Sequence, residues 1–237
     1  MRKIYLPLVC LLAAVTTMAA QTITGATATA RTDVYHVHFA AAAAGKTAQL
    51  GDFLKSGGAG APKTGHSIVL RHQDGVDWDY AVIEHLGTTA TVDTKGSPMP
   101  TTARDLYSWH TDTFAAGPAW PDFIKAMGLG DMAGKSGNSV YVVSVYRSTP
   151  GHREQLEKAL TSAVPGGADT SSGNVLLQHL EGGPWNYLLI ARYNSWQDFA
   201  TNESNSSAAT RKGQGGWFDL RDHLAFHNDT LTERLAP

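Results

Sequence analysis

The sequence predicts an α+β fold made of two tandem β-α-β-β-α units, because three separate blocks of the chain recur in the same order. "DVYHVHFAAAAAGKTAQLGDFLK" (33–55) aligns with "SVYVVSVYRSTPGHREQLEKALT" (139–161). "HSIVLRHQDGVDWDYAVIEHLG" (66–87) aligns with "GNVLLQHLEGGPWNYLLIARYN" (173–194). An aromatic-His-x-Asp-Thr motif ends both copies, with His110 and Asp112 in the first and His227 and Asp229 in the second. One matched block could arise by chance, but three in order indicate duplication.

The first block of each copy reads as a strand rich in β-branched and aromatic residues, followed by a helix. Pro150 and Gly151 precede the second helix, where Leu156, Ala159, Leu160 and Ala163 fall on one face. Leu50, Phe53 and Leu54 repeat that stripe in the first copy. The second block reads as two strands joined by a short turn containing Gly75 or Gly182, a β-hairpin. Helical stretches are expected around 103–115 and 196–201, with the His-x-Asp-Thr motif after them. The second copy carries about ten extra residues between hairpin and motif, which places an insertion in the Gly/Ser-rich stretch 202–216. This divides the chain into a first repeat (33–127), a linker (128–138) and a second repeat (139–237), after an N-terminal segment (21–32).

"NVLLQHLEGGPWNYLLIARYNSWQDFA" (174–200), a hairpin that ends in an aromatic and runs into a helix opened by "SWQDF", resembles the dimeric α/β-barrel superfamily. The resemblance covers most of 33–237 and marks no specific member. It implies ferredoxin-like units, here two fused copies closing into one barrel, with fusion supplying what separate subunits would supply by dimerising; a monomer is expected. Members include cofactor-free monooxygenases, haem-dependent peroxidases, chlorite-degrading enzymes and polyketide cyclases, so the fold does not choose a reaction.

Residues 1–20 have the pattern of a signal peptide: Arg2 and Lys3, an apolar run, then small residues. Cleavage there predicts an exported protein, periplasmic or extracellular, without a membrane span in the mature chain. It also removes Cys10, the one cysteine, which excludes thiol chemistry, disulfides and cysteine-bound metals. Two of the 19 basic residues and none of the 21 acidic ones go with it, leaving a net charge of about −4. No basic stripe is present, so nucleic acid is not an expected partner.

His36 and His38 alternate along the first strand and project to one side, roughly 7 Å apart. Tyr35, Val37 and Phe39 match Tyr141, Val143 and Val145 and are expected to lie under the helices. The histidine face would then look into the barrel, where a small organic molecule could bind. His36, His38 and His85 are the candidate catalytic residues, removing a proton from an activated carbon or supporting cofactor-free oxygenation. Arg71, His72 and Glu84 are the candidate ligand-binding residues. The three catalytic candidates stand opposite Val142, Ser144 and Arg192 in the second copy. Residues shared by both copies lean towards the fold, and His110, Asp112, His227 and Asp229 fall in that class, capping a helix or tying a turn. Nothing marks a cofactor, and none is the favoured reading. A metal held by the His-x-His pair, with His72, Asp79, Glu84 or His85, stays open, as do a haem and a barrel that is merely filled.

Overall fold

In the computed structural model, residues 30–57, 65–90, 100–129, 139–162, 169–214 and 216–236 are described. The segments 1–20 and 130–138, expected as signal peptide and most of the linker, lie outside them. The first repeat runs β1 (Asp33–Ala42), α1 (Thr47–Lys55), β2 (Ser67–Asp74), β3 (Tyr80–Thr88), α2 (Thr101–Arg104), β4 (Tyr107–Gly117) and α3 (Trp120–Met127). The second runs β5 (Val140–Ser148), α4 (Arg153–Thr161), β6 (Gly173–Glu181), β7 (Tyr187–Tyr193), α5 (Trp196–Arg211), α6 (Trp217–Asp222) and β8 (Leu224–Ala236).

The eight strands form a closed antiparallel barrel in the order β1-β3-β2-β8-β5-β7-β6-β4. Within each repeat the first strand sits between the third and the fourth, the ferredoxin-like arrangement. Two seams join the repeats, β4 to β6 and β2 to β8, and they use equivalent rungs: Phe114 faces Glu181 and Leu231 faces Asp74. Closure leaves no unpaired edge among the described strands.

The His-x-Asp-Thr motif lies on the fourth strand of each repeat, not at a helix end. The helix expected over 103–115 is confined to α2, and β4 follows it. From Tyr107 onward the residues alternate: Thr113 and Ala115 are buried while Asp112 and Phe114 are exposed, a period of two that a helix cannot use. In the second repeat the stretch 202–211 continues α5 instead of looping out. Its Ser195 cap accepts from the Asp198 amide at 3.1 Å, and no proline or glycine interrupts it before Gly213.

The assignment of faces is the reverse of the expectation. Tyr35, Val37 and Phe39 point into the barrel, where they pack with Ile68, Leu70 and Ile83 and with Tyr141, Val143, Val175, Leu177 and Ile190 of the other repeat. His36 and His38 lie on the outer face with Ala40, which packs under Leu50 and Leu54 of α1. Both faces of β1 are buried, one by the barrel core and one by the outer layer, so apolar content alone does not tell inside from outside. Tyr80 and Tyr187 are outer residues beneath α1 and α4, whereas Trp78 and Trp185 belong to the interior cluster.

One end of the barrel is closed by α3. Trp120 stacks between His66 and Phe123, and the Tyr141 hydroxyl donates to the Met127 carbonyl at 3.0 Å. The helix also lies against Gly173 of β6 so closely that an added Cβ would stand 2.0 Å from the Ala126 carbonyl oxygen. Gly173→Val is therefore expected to lift α3 off the barrel and to cost about 3 kcal/mol, read as a lowered urea midpoint.

Candidate functional site

Two places in the barrel could carry function. The first is a polar cluster on the outer face of the first repeat. The ladder sets His36 beside Glu84 on β3 and beside Phe114 on β4, and sets His38 beside Asp112. His36 donates from Nδ1 to Glu84 Oε2 at 3.1 Å and from Nε2 to Asp112 Oδ1 at 2.9 Å. The same Asp112 oxygen accepts from His38 Nδ1 at 2.7 Å, and Asp112 Oδ2 accepts from His110 Nδ1 at 2.9 Å. His36, His38 and Glu84 are buried, while the side chains of Asp112 and His110 are about 40 % exposed. The cluster thus has a dry floor and a wet rim.

Its electrostatics follow from this geometry. Burial opposes a charge on His36, but hydrogen bonds to Asp112 and Glu84 prevail and raise its pKa to about 9. Both ring nitrogens face carboxylates, so the metal-free ring is an imidazolium. Burial works against the charged form of Asp112 as well, yet hydrogen bonds from His36 and His38 hold its carboxyl well below the usual range. His38 Nε2 is buried and has no hydrogen-bond partner among the described residues.

The second repeat shows the same positions without this chemistry. Val142 and Ser144 stand where His36 and His38 do, with Ala191 beside Val142 and Asp229 beside Ser144. There Val142, Ala191 and Leu231 form an apolar patch against Phe199 of α5. His227 lies 3.8 Å from Asp229 and close to Arg221, at the surface.

The remaining candidates are elsewhere. His85 is on the inner face of β3, where its Nε2 donates to Asp33 at 2.7 Å and its ring stacks on Trp120. It belongs to the α3 closure and is separated from His36 by the sheet. Arg71 pairs with Glu233 across the β2–β8 seam on the outside. His72 packs on Trp78, as His179 packs on Trp185. Asp79 accepts from the Ala42 amide at 2.7 Å and holds a strand end.

The second place is a cavity of about 230 Å³ inside the barrel, at the end opposite α3. Its wall is drawn from both repeats in matching pairs: Trp78 with Trp185, Trp109 with Phe226, Thr111 with Asn228 and Phe39 with Val145. The cavity therefore sits on the axis relating the two copies. Among the described residues, Asp77, at the exposed rim, is the one titratable residue on the wall, and no histidine lines it. Trp109 and Thr111 fall in the stretch expected to be helical, and Asn228 and Thr230 in the motif expected to cap a helix or tie a turn, so sequence reasoning does not bring these four to a cavity wall.

Neither a family model nor a curated protein matches the sequence. Solved structures do match the fold. An anthrone oxidase-like protein superposes with a TM-score of 0.56 at 12% identity, over 86% of this chain and 92% of that one. A monooxygenase candidate from Lactobacillus acidophilus gives 0.47 at 8% identity, over 86% and 94%. A chlorite dismutase candidate gives 0.42 at 12% identity, over 86% and 96%. Topology, seams and superposition agree: the chain has the fold of the dimeric α/β-barrel superfamily, with both ferredoxin-like halves supplied by one polypeptide.

Proposed function

We propose that this protein binds a small, largely apolar organic molecule in the barrel cavity. The observation that carries the reading is the cavity itself, about 230 Å³ walled by aromatic and aliphatic side chains with Thr111, Asn228 and Thr230 as its polar points. An engineered apolar cavity of about 150 Å³ is enough to hold benzene. A molecule of one substituted ring, or two small fused rings, fits this space, and the three polar side chains would orient a hydroxyl or carbonyl group. Proton removal by a histidine inside the same space does not fit, because the candidate histidines lie outside the wall. The reading therefore favours binding over conversion in the cavity. It includes export, which N-terminal sequencing of the mature protein from a periplasmic or culture fraction would check by a start near Gln21.

The test is a thermal-shift screen with one- and two-ring aromatic alcohols and ketones on the wild-type protein and on Val143→Phe. Ligand at about a hundred times its Kd adds roughly 2.7 kcal/mol of stability. Val143 is buried on the cavity wall, so the larger ring occupies the space and is expected to abolish the shift while leaving the fold intact. Shifts that survive in Val143→Phe, or none with any ligand, would dismiss the cavity as the binding site.

A further inference from the structure

We propose that His36, His38 and Asp112 form a mononuclear site for a divalent transition metal, with an open coordination position facing solvent. Each of the three residues offers a ligand atom within 4.8 Å of the other two, and His36 Nε2 and His38 Nδ1 are the ring atoms that meet on the Asp112 carboxylate. Two imidazoles and one carboxylate are a donor set that suits zinc, iron(II) or cobalt(II). They stand on adjacent rungs of two hydrogen-bonded strands, a rigid support that needs no loop to close.

Four features separate this cluster from an ordinary hydrogen-bonded tie. Glu84 accepts from His36 Nδ1, so that when a metal displaces the Nε2 proton to solvent the remaining tautomer directs the Nε2 lone pair at the site; carboxylates do this behind metal-bound histidines. Glu84 and Asp112 together carry two negative charges, which one divalent cation balances with both histidines neutral. The ring of His38 is fully buried, yet it bonds through Nδ1 to Asp112 while its Nε2 is unpartnered among the described residues. A structural tie would not need that buried ring, since the second repeat folds with Ser144 in its place.

The site is also exposed where a metal needs it to be. Asp112 and His110 form the wet side, so the carboxylate can swing to open the space between the two rings. His110, on the same strand face and already on Asp112 Oδ2, is placed to serve as a fourth ligand or to bond a metal-bound water. In the second repeat the equivalent face is filled by Phe199 of the sixteen-residue α5, whereas the described helix at that point of the first repeat, α2, has four residues. The proposal does not depend on occupancy of the barrel cavity.

The test is titration of untagged, chelator-stripped protein with Co²⁺, read by its visible d–d absorption and by thermal shift. One saturable equivalent is expected in the wild type. Binding should be lost in His38→Gln, in Asp112→Asn and in the double variant His36→Val/Glu84→Ala, which copies the second repeat. Glu84→Gln should weaken it by about 10–100-fold. His152→Gln removes one of another close histidine pair, whose Nδ1 atoms are 3.0 Å apart, and should leave binding unchanged. Near-ultraviolet circular dichroism confirms that each variant is folded, and the double variant keeps the test decisive if a single one is not. Absence of saturable binding in folded wild type, its persistence in the double variant, or its loss in His152→Gln would overturn the proposal.

Discussion

Replacing His36 by alanine in the metal-free protein is expected to destabilise it by about 3–5 kcal/mol, whereas His36→Val combined with Glu84→Ala should come within about 1 kcal/mol of wild type. The difference lies in what each change leaves behind. Alanine alone strands the Glu84 carboxylate, whose side chain is 7% exposed and which has His36 as its ion-pair partner. Asp112 suffers less, because it keeps His38 and His110 and can turn to water. The double change removes both buried charges and installs the pair that the second repeat already packs, Val142 beside Ala191. Urea unfolding of His36→Val, of Glu84→Ala and of the double variant measures the coupling directly. Additive losses would mean that His36 and Glu84 do not form a buried pair, and the electrostatic account of the cluster would go with it.

This comparison is possible because the duplication is visible in the sequence, and most of the fold was legible for the same reason. Strand, helix and hairpin recur with offsets that barely change, so the ferredoxin-like units and their fusion could be read from 33–55 against 139–161. Which face of β1 looks inward could not. Alternation separates Tyr35, Val37 and Phe39 from His36 and His38, but it labels neither set as interior when both are covered. The decisive facts are long-range: Tyr35 and Val37 pack against the other repeat, and that contact has no local signature. The alternation of Tyr107, Trp109, Thr111 and Thr113 was a local signal for β4, overridden by the helix expected from its neighbours.

The candidate site was legible in part. His36, His38 and Glu84 stand out in the sequence by their residue types, and the fold brings them together. Comparing the copies assigns Asp112 to the fold, because the second copy has Asp229 in its place. That reasoning fails where one copy keeps an inherited residue in a plain role and the other recruits it. Asp229 faces Ser144, while Asp112 faces two histidines. Arg71, His72 and His85 had suitable chemistry, but strand phase and seam position carry them to other surfaces.

The repeated glycines Gly75 and Gly182 acquire a physical reason from the seams, and with it a large expected effect. Both have positive φ, 138° and 114°, a region that side chains rarely enter. Each also lies against the fourth strand of the opposite repeat. A Cβ on Gly182 would stand 2.2 Å from the Asp112 carbonyl oxygen, and one on Gly75 would stand 2.7 Å from that of Asp229. In both cases the obstacle is backbone, which cannot step aside as a side-chain end can. Gly151 supplies the control: its φ is 82°, but nothing lies within 4 Å of an added Cβ. Gly151→Ala should cost about 1–2 kcal/mol from conformation alone, and Gly182→Ala about 3 kcal/mol or more because β4 must also move. Since β4 carries Thr111 on the cavity wall and Asp112 in the outer cluster, Gly182→Ala should weaken both Co²⁺ binding and the ligand-induced thermal shift, and Gly151→Ala should weaken neither. Equal losses of stability in the two variants would show that the hairpin does not bear on β4, and the glycines would then be retained for the turn alone.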